Sequence, residues 1–396
     1  MKHLLFSFLL LLHLTSAIGQ ETKNYFPSKN KWEKVSATID FDTAKLNDAI
    51  RFAIGNESKN PRSMELSQKN TFGKEPFGEA IGSFADRGDA TGLIIYKGYI
   101  VAEWGEPSRV DMTHSVTKSF LSTVVGLAVN KGLIANTNEK VEKYVPAAIE
   151  TITNTAEKST IQLFQTPHNK EITWETMLRQ TSDWEGTLWD KPDWADRPDK
   201  DSTKWHNRIR NKPGAVFEYN DVRVNALALA TMYVWRKGLP EVLKKNIMDP
   251  IGASNTWKWE GYKNSWVKLN GKKIQSVSGG GHWGGGMFIN AYDMARFGLL
   301  TLHKGNWKGK QLIAESWLEK SLTPTTANTG YGYMNFFLNL DKKFLPDAPA
   351  AAFVHVGNGV NAIYVDPEHD LVMVVRWIEN YTALNGVVKR VLEAMK

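Results

Sequence analysis

The sequence predicts an α/β (α+β) protein in which one antiparallel sheet is assembled from both termini, flanked by helices, around a mostly helical inserted domain. Three observations carry this expectation. Early in the chain, Leu93-Ile94-Ile95-Tyr96 and Tyr99-Ile100-Val101-Ala102 flank Lys97-Gly98, a hairpin signal with β-branched and aromatic residues on both arms. Late in the chain, Phe353-Val354-His355-Val356, Ala362-Ile363-Tyr364-Val365 and Leu371-Val372-Met373-Val374-Val375 read as three strands, with Asp366-Pro367-Glu368-His369-Asp370 turning the last pair. Between them, residues 131 to 275 show helical periods and long polar loops but few strand patterns.

Taken in order, the chain opens on an address. Met1-Lys2-His3 is a short basic start, Leu4 to Leu14 an apolar run, and Thr15-Ser16-Ala17-Ile18-Gly19 a small-residue stretch suited to cleavage after Ala17 or Gly19. The run is shorter than the roughly 20 apolar residues a spanning helix needs. No Cys follows it to take a lipid. Residues 1–19 are therefore expected to be a signal peptide, and the mature protein to be exported, periplasmic or secreted, with no stable membrane anchor; the alternative is a buried N-terminal helix. Asp42 to Ile54 reads as an amphipathic helix capped by Asp42 or Thr43 and ended by Gly55-Asn56. Val116 to Asn130 is apolar on nearly every face, which predicts a helix buried all round, with Gly132 placed to end it. Further helices are expected over Val222 to Trp235 and Leu384 to Met395. The expected units are a sheet domain of residues 20–130 with 276–396 and a helical domain of residues 131–275, with the active site in the cleft between them.

Composition excludes several classes. With 396 residues, 42% hydrophobic and 23% charged, the chain is long and apolar enough for a substantial core, and disorder or a fibrous repeat is a poor reading. The absence of Cys removes disulfides, thiolate zinc sites, iron–sulfur clusters and a Cys nucleophile together. Lys and Arg number 49 against 42 Asp and Glu, but the excess is spread along the chain, so no nucleic-acid partner is expected. Gly279-Gly280-Gly281-His282-Trp283-Gly284 satisfies a dinucleotide-type glycine pattern without a βαβ unit around it. A glycine turn lining a cleft is the better reading.

The chemistry concentrates at His114-Ser115-Val116-Thr117-Lys118-Ser119-Phe120. Ser-x-x-Lys recurs at Ser28 and Ser265, so context must separate the three. Ser115 opens the buried helix, its hydroxyl near the positive end of the helix dipole, and Lys118 follows one turn later on the same face. Lys118 is the one charged residue in a helix fit for burial. Desolvation favours the neutral amine, which would let it accept a proton from serine. The alternative is an ordinary N-cap serine beside a lysine that reaches out to water. Tyr219 follows at a loop-to-helix junction after Pro213-Gly214, and His355-Val356-Gly357-Asn358-Gly359 ends a strand where glycines admit a substrate.

In that order, the Ser-x-x-Lys helix start, the Tyr junction and the His-x-Gly strand resemble the penicillin-recognising serine hydrolases: class C β-lactamases, D-alanyl-D-alanine peptidases, and related esterases and 6-aminohexanoate-dimer hydrolases. Glu171-Ile172-Thr173 with Met177 to Ser182, and Gly284-Gly285-Gly286-Met287 with Asp293 to Gly298, extend the resemblance over roughly residues 80 to 385. It implies a β-lactamase/transpeptidase-like fold and a serine hydrolase acting on a small-molecule ester or amide. Ser115 would be the nucleophile, with Lys118 and Tyr219 as acid and base in either assignment. The backbone N–H groups of Ser115 and Asn358 would form the oxyanion hole, His355 and Gly357 would contact substrate, and neither a metal nor an organic cofactor would be needed.

Departures from the family pattern bear on substrate. The usual Tyr-x-Asn is here Tyr219-Asn220-Asp221, and Val356 replaces a Ser or Thr. A lost hydroxyl and an added carboxylate disfavour an anionic β-lactam and point to neutral, amine-bearing or D-amino-acid-type esters or amides. Asp221 pairing with Lys118 or Arg223 is the structural alternative. Ten of the 15 Trp lie between Trp174 and Trp283, and Trp184, Trp189 and Trp283 are candidates for an aromatic wall of the acyl cleft. The other possibility for them is packing beneath the loop. Arg179, Asp183, Glu185, Asp190, Asp193, Asp196 and Asp199 read as a solvated loop face. Two other functions compete: a non-catalytic exported receptor for cell-wall peptide or glycan, and a true β-lactamase or D-Ala-D-Ala peptidase.

Overall fold

Strands from opposite ends of the chain pair edge to edge. Thr91–Tyr96 runs antiparallel to Leu371–Arg376, with Leu93 opposite Val374 and Ile94 opposite Met373. On one side Tyr99–Trp104 extends the sheet through a turn whose central residues, Lys97 and Gly98, both have positive φ. That is the turn a right-handed two-residue hairpin requires. On the other side Asn361–Asp366, Phe353–Gly357 and Phe337–Leu338 complete a six-stranded antiparallel sheet. The computed structural model describes residues 25–396 apart from 30, 37–39, 153–158 and 207. The signal peptide expected over residues 1–19 lies outside the described residues. Among the described residues, no helix is long and apolar enough to cross a membrane.

The two-residue alternation of the strands sorts their side chains into two cores. Leu93, Ile95, Ile363, Val365, Val372 and Val374 face one core with Phe120 and Phe297. Ile94, Val354, Ala362, Tyr364, Met373 and Val375 face another, covered by the first and last helices. The first is Thr43–Gly55, with the Asp42 carboxylate accepting the N–H groups of Ala44 and Lys45. The last is Tyr381–Ala394, capped by Asn380, with Leu384, Val387, Val388 and Val391 buried at helical spacing.

The helix Thr117–Asn130 is buried without interruption from Thr117 to Ala128, as its apolar sequence predicts. A short 3-10 turn, His114–Val116, precedes it and carries Ser115. The helix Asp221–Trp235 begins one residue earlier than the sequence suggests, because Asn220 is the cap and accepts the N–H of Arg223.

Residues 131–275 carry strands as well as helices. A 12-residue strand, Lys258–Leu269, pairs with Lys272–Val277 and with Gly286–Ile289, and forms a second sheet with short strands that include Ile149–Thr151. Its signal is in the sequence: Asn270-Gly271, both at positive φ, joins Leu269 to Lys272 as a two-residue hairpin turn. The alternation is broken where Gly261 and Tyr262 are both buried at a register shift and where buried Ser265 is followed by partly buried Trp266.

Candidate active site

The 3-10 turn holding Ser115 is wedged between the end of strand Phe353–Gly357 and the glycine turn after strand Lys272–Val277. A Cβ on Gly357 would lie 2.0 Å from the Thr113 carbonyl oxygen and 2.9 Å from the Ser115 nitrogen. Only glycine lets the strand reach the turn that closely. On the other flank, Gly280 has φ +76°, and a Cβ there would lie 2.1 Å from the His114 carbonyl oxygen. The serine turn is thus fixed by backbone contacts from both sides.

Lys118 is fully buried and bonded into this corner. Its Nζ donates to Ser115 Oγ at 2.8 Å and to the Gly279 carbonyl at 3.2 Å, and lies 2.7 Å from Asp221 Oδ1. The last contact is an ion pair whose geometry falls short of a directed hydrogen bond. The ammonium also sits 5.1 Å above the Tyr219 ring. The Tyr219 hydroxyl is within hydrogen-bond reach of Ser115. Burial first, and Asp221 second, push the Tyr219 phenol well above its ordinary range, outweighing Arg197 and the Ser115 bond. Tyr219 is therefore a neutral proton donor in the resting site.

Asp221 settles into the pairing that its sequence position left open: its partner is Lys118 rather than Arg223, which instead bonds Asp183 at 2.7 Å. Burial would raise the Asp221 carboxyl, but Lys118, Arg197 and His282 hold it well below the usual carboxylate range. His282 Nδ1 lies 2.6 Å from Asp196 Oδ1 and 3.1 Å from Asp221 Oδ2. Burial would lower the His282 imidazole, yet the two carboxylates outweigh it and push it up to about 9. Asp196, Asp221 and His282 bring three possible metal ligands within 4.8 Å of one another. The Arg197 guanidinium already occupies that space, 2.6 Å from Asp196 and 3.4 Å from Asp221. With Lys118 it neutralises both carboxylates, so this donor set does not fit a divalent cation.

Ser115, Tyr219, Asp221, Arg197 and His282 line a cavity of about 300 Å³ together with Gly357 and Asn358, and Lys118 reaches it through its contact with Ser115. Of the site residues read from the sequence, Ser115, Lys118, Tyr219, Asp221, Gly357 and Asn358 come together here. Four others do not. His355 is buried on the opposite sheet face from Val354 and Val356, among Phe297, Phe336 and Phe353. Neither of its nitrogens has a directed hydrogen bond, and burial pushes it down to about 3. Trp184, Trp189 and Trp283 are also buried and off the cavity; Trp184 donates to the Leu163 carbonyl and Trp283 to that of Phe77.

The loop is pulled onto the protein by charges expected to be solvated. Asp183 and Asp193 are buried and gripped by Arg223, Arg208 and Arg210, and Arg179 is buried against Glu175. Asp190 and Asp199 are exposed as expected. The cavity's aromatic wall is instead Phe72, Phe84, Phe337 and Tyr381. Those four, and Arg197, carry no local sequence signal. His282 did carry one, as the sole ionisable residue of the glycine turn.

An antiparallel sheet flanked by helices, with a buried Ser-x-x-Lys pair at a helix start, defines the serine hydrolase class of β-lactamase and penicillin-binding-protein type. Residues 97–391 match the Beta-lactamase family, and the chain belongs to it. No curated protein matches the sequence. Among solved structures, a protein described as a 6-aminohexanoate-dimer hydrolase from Bacillus anthracis is similar with a TM-score of 0.55 and 16% identity, over 93% of this chain and 98% of that one. A family VIII carboxylesterase gives 0.55 and 17%, over 89% and 97%. A penicillin-binding-protein homologue from Caulobacter crescentus gives 0.54 and 13%, over 89% and 97%. At these identities the likeness is one of fold.

Proposed function

We propose that this chain is an exported esterase or amidase that cleaves a small neutral substrate through an acyl-enzyme on Ser115. The carrying observation is the Lys118 Nζ to Ser115 Oγ contact of 2.8 Å at the floor of a cavity, with Tyr219 within reach of the same oxygen. The substrate's seat is the cleft between the sheet domain (residues 20–130 and 276–396) and the insert (residues 131–275).

Once the Lys118 ammonium has lost its proton to solvent, Ser115 Oγ gives its own proton to the neutral amine and attacks the carbonyl carbon, whose π electrons move onto oxygen. The N–H groups of Ser115 and Asn358 receive that oxyanion. Collapse expels the alcohol or amine, which takes the Tyr219 proton; Lys118 then reprotonates Tyr219, and water repeats the sequence to release the acid. Assigning Lys118 as base and Tyr219 as acid follows from the upward push on the phenol, which disfavours a resting phenolate.

Val356 lines the cavity where a hydroxyl would hold a β-lactam carboxylate, which supports the choice of ester or amide over β-lactam. The amine-bearing alternative loses its support, because Asp221 is engaged by Lys118, Arg197 and His282 rather than free to bind a cation. The names of the similar carboxylesterase and aminohexanoate-dimer hydrolase fit the same chemistry. The test is a panel of p-nitrophenyl esters, anilides, D-amino-acid amides and nitrocefin. Ester or amide turnover lost in Ser115→Ala is expected; nitrocefin turnover at the level of a dedicated β-lactamase overturns the substrate choice, and no turnover of any substrate favours the non-catalytic receptor.

A further inference from the structure

The chemistry above leaves His282 and Asp196 unassigned, although both are buried against the site. Asp221 stands between opposed cations. Lys118 holds Oδ1 at 2.7 Å, while His282 Nδ1 at 3.1 Å and Arg197 Nη1 at 3.4 Å approach Oδ2. Asp196 closes the cluster: it lies 2.6 Å from both Arg197 and His282 and accepts the backbone N–H of Asp221. The Phe72 ring meets the imidazole edge-on at 3.8 Å and fixes its position. A Cβ on Gly281 would fall 2.3 Å from Asp221 Cγ, so the glycine turn lays His282 directly on the carboxylate.

Resting on the proposed Ser115–Lys118 chemistry, we propose that His282 is a positioning residue: as an imidazolium it shares the Asp221 carboxylate and so weakens the hold of Asp221 on the Lys118 proton. A buried carboxylate in contact with an ammonium strongly favours the charged amine, and the charged amine cannot take the serine proton. A second cation on the other carboxylate oxygen opposes that pull. Where the family has Asn no counterweight is needed; Asp221 creates the need. The remaining groups facing His282 and Asp221 are Arg197, Asp196 and Glu75, whose carboxylate receives the Arg197 backbone N–H, together with neutral Tyr219 and His114, the latter pushed down to about 4 by burial, Arg376 and Lys118. His282 neither gains nor loses a proton in turnover; protons move only among Ser115, Lys118, Tyr219, the leaving group and water.

The test is the pH profile of kcat/KM on p-nitrophenyl acetate for the wild type, His282→Gln, Asp221→Asn and the double variant. His282→Gln is expected to move the acidic limb to higher pH by about one unit, a tenfold loss on the acid side. Asp221→Asn is expected to move it to lower pH, and the double variant to follow Asp221→Asn, since His282 acts only through that carboxylate. A lowered plateau with an unmoved limb in His282→Gln overturns the proposal and leaves a structural role. If His282→Gln fails to fold, Asp221→Asn alone decides: an acidic limb that stays in place or rises overturns it. Turnover that survives in Ser115→Ala overturns the parent reading as well, whereas a Ser115-dependent activity with unmoved limbs defeats only the role of His282.

Discussion

Lys118 and Asp221 form a fully buried ion pair, 2.7 Å apart, directly beneath Ser115. The ammonium is tolerated there because of the carboxylate, which also faces His282 and Arg197. Removing the carboxylate strands the ammonium in a low-dielectric interior, a larger loss than removing both charges. Asp221→Asn is therefore expected to cost about 3–5 kcal/mol of stability in urea denaturation at pH 7. The double variant Lys118→Met, Asp221→Asn should recover most of that loss while remaining inactive. A single variant as stable as the wild type would contradict the pairing.

His355 supplies a test of opposite character. Its pKa is pushed down to about 3 by burial, so it is neutral in the folded protein and gains a proton on unfolding in acid. Its contribution is intact above about pH 6.5 and is lost as pH falls toward 3. His355→Phe is expected to flatten the loss of stability over that window, followed by denaturation midpoints from pH 7 to 4. Turnover should change less than about twofold, because the side chain lies off the cavity; a large drop in kcat would return His355 to the site.

Gly357 is expected to tolerate no side chain. In Gly357→Ala the added methyl meets the Thr113 carbonyl at 2.0 Å and must displace the turn that carries Ser115. About 1–3 kcal/mol of stability should go with it, as for overpacking. Steady-state kinetics should show a fall in kcat of at least about 100-fold, as expected when the nucleophile is misplaced by 1 Å.

Two aromatic truncations separate cavity wall from core. Trp184→Ala empties a buried site and is expected to cost about 3–5 kcal/mol. Tyr381 lines the cavity while 47% exposed, so Tyr381→Ala should cost under about 1 kcal/mol and act on KM for bulky acyl esters instead. Thermal denaturation and KM values on acetyl and longer acyl esters check the pair.

The sheet was legible because its strands are apolar on both faces and are bounded by turn residues, as at Lys97-Gly98. Ser115 and Lys118 were legible because a lysine inside a uniformly apolar helix is an anomaly that periodicity exposes. The strand Lys258–Leu269 escaped because buried Gly261 and Ser265, and the register shift between Gly261 and Trp266, interrupt the alternation a half-buried strand shows. The tryptophans misled because composition reports area, not direction: Asp183 and Asp193 are folded in by arginines 17 to 40 positions away, and Trp184 and Trp189 go under with them. Arg197, Phe72, Phe84, Phe337 and Tyr381 reach one cavity from four separate stretches of chain, a convergence that only tertiary structure creates.

The most direct measurement is intact-mass spectrometry of the protein after treatment with a fluorophosphonate, followed by peptide mapping. A single adduct on Ser115, absent in Ser115→Ala and strongly slowed in Lys118→Met, is the expected result. An unlabelled wild type, or an adduct that persists in Ser115→Ala, would contradict the assignment of Ser115 as nucleophile.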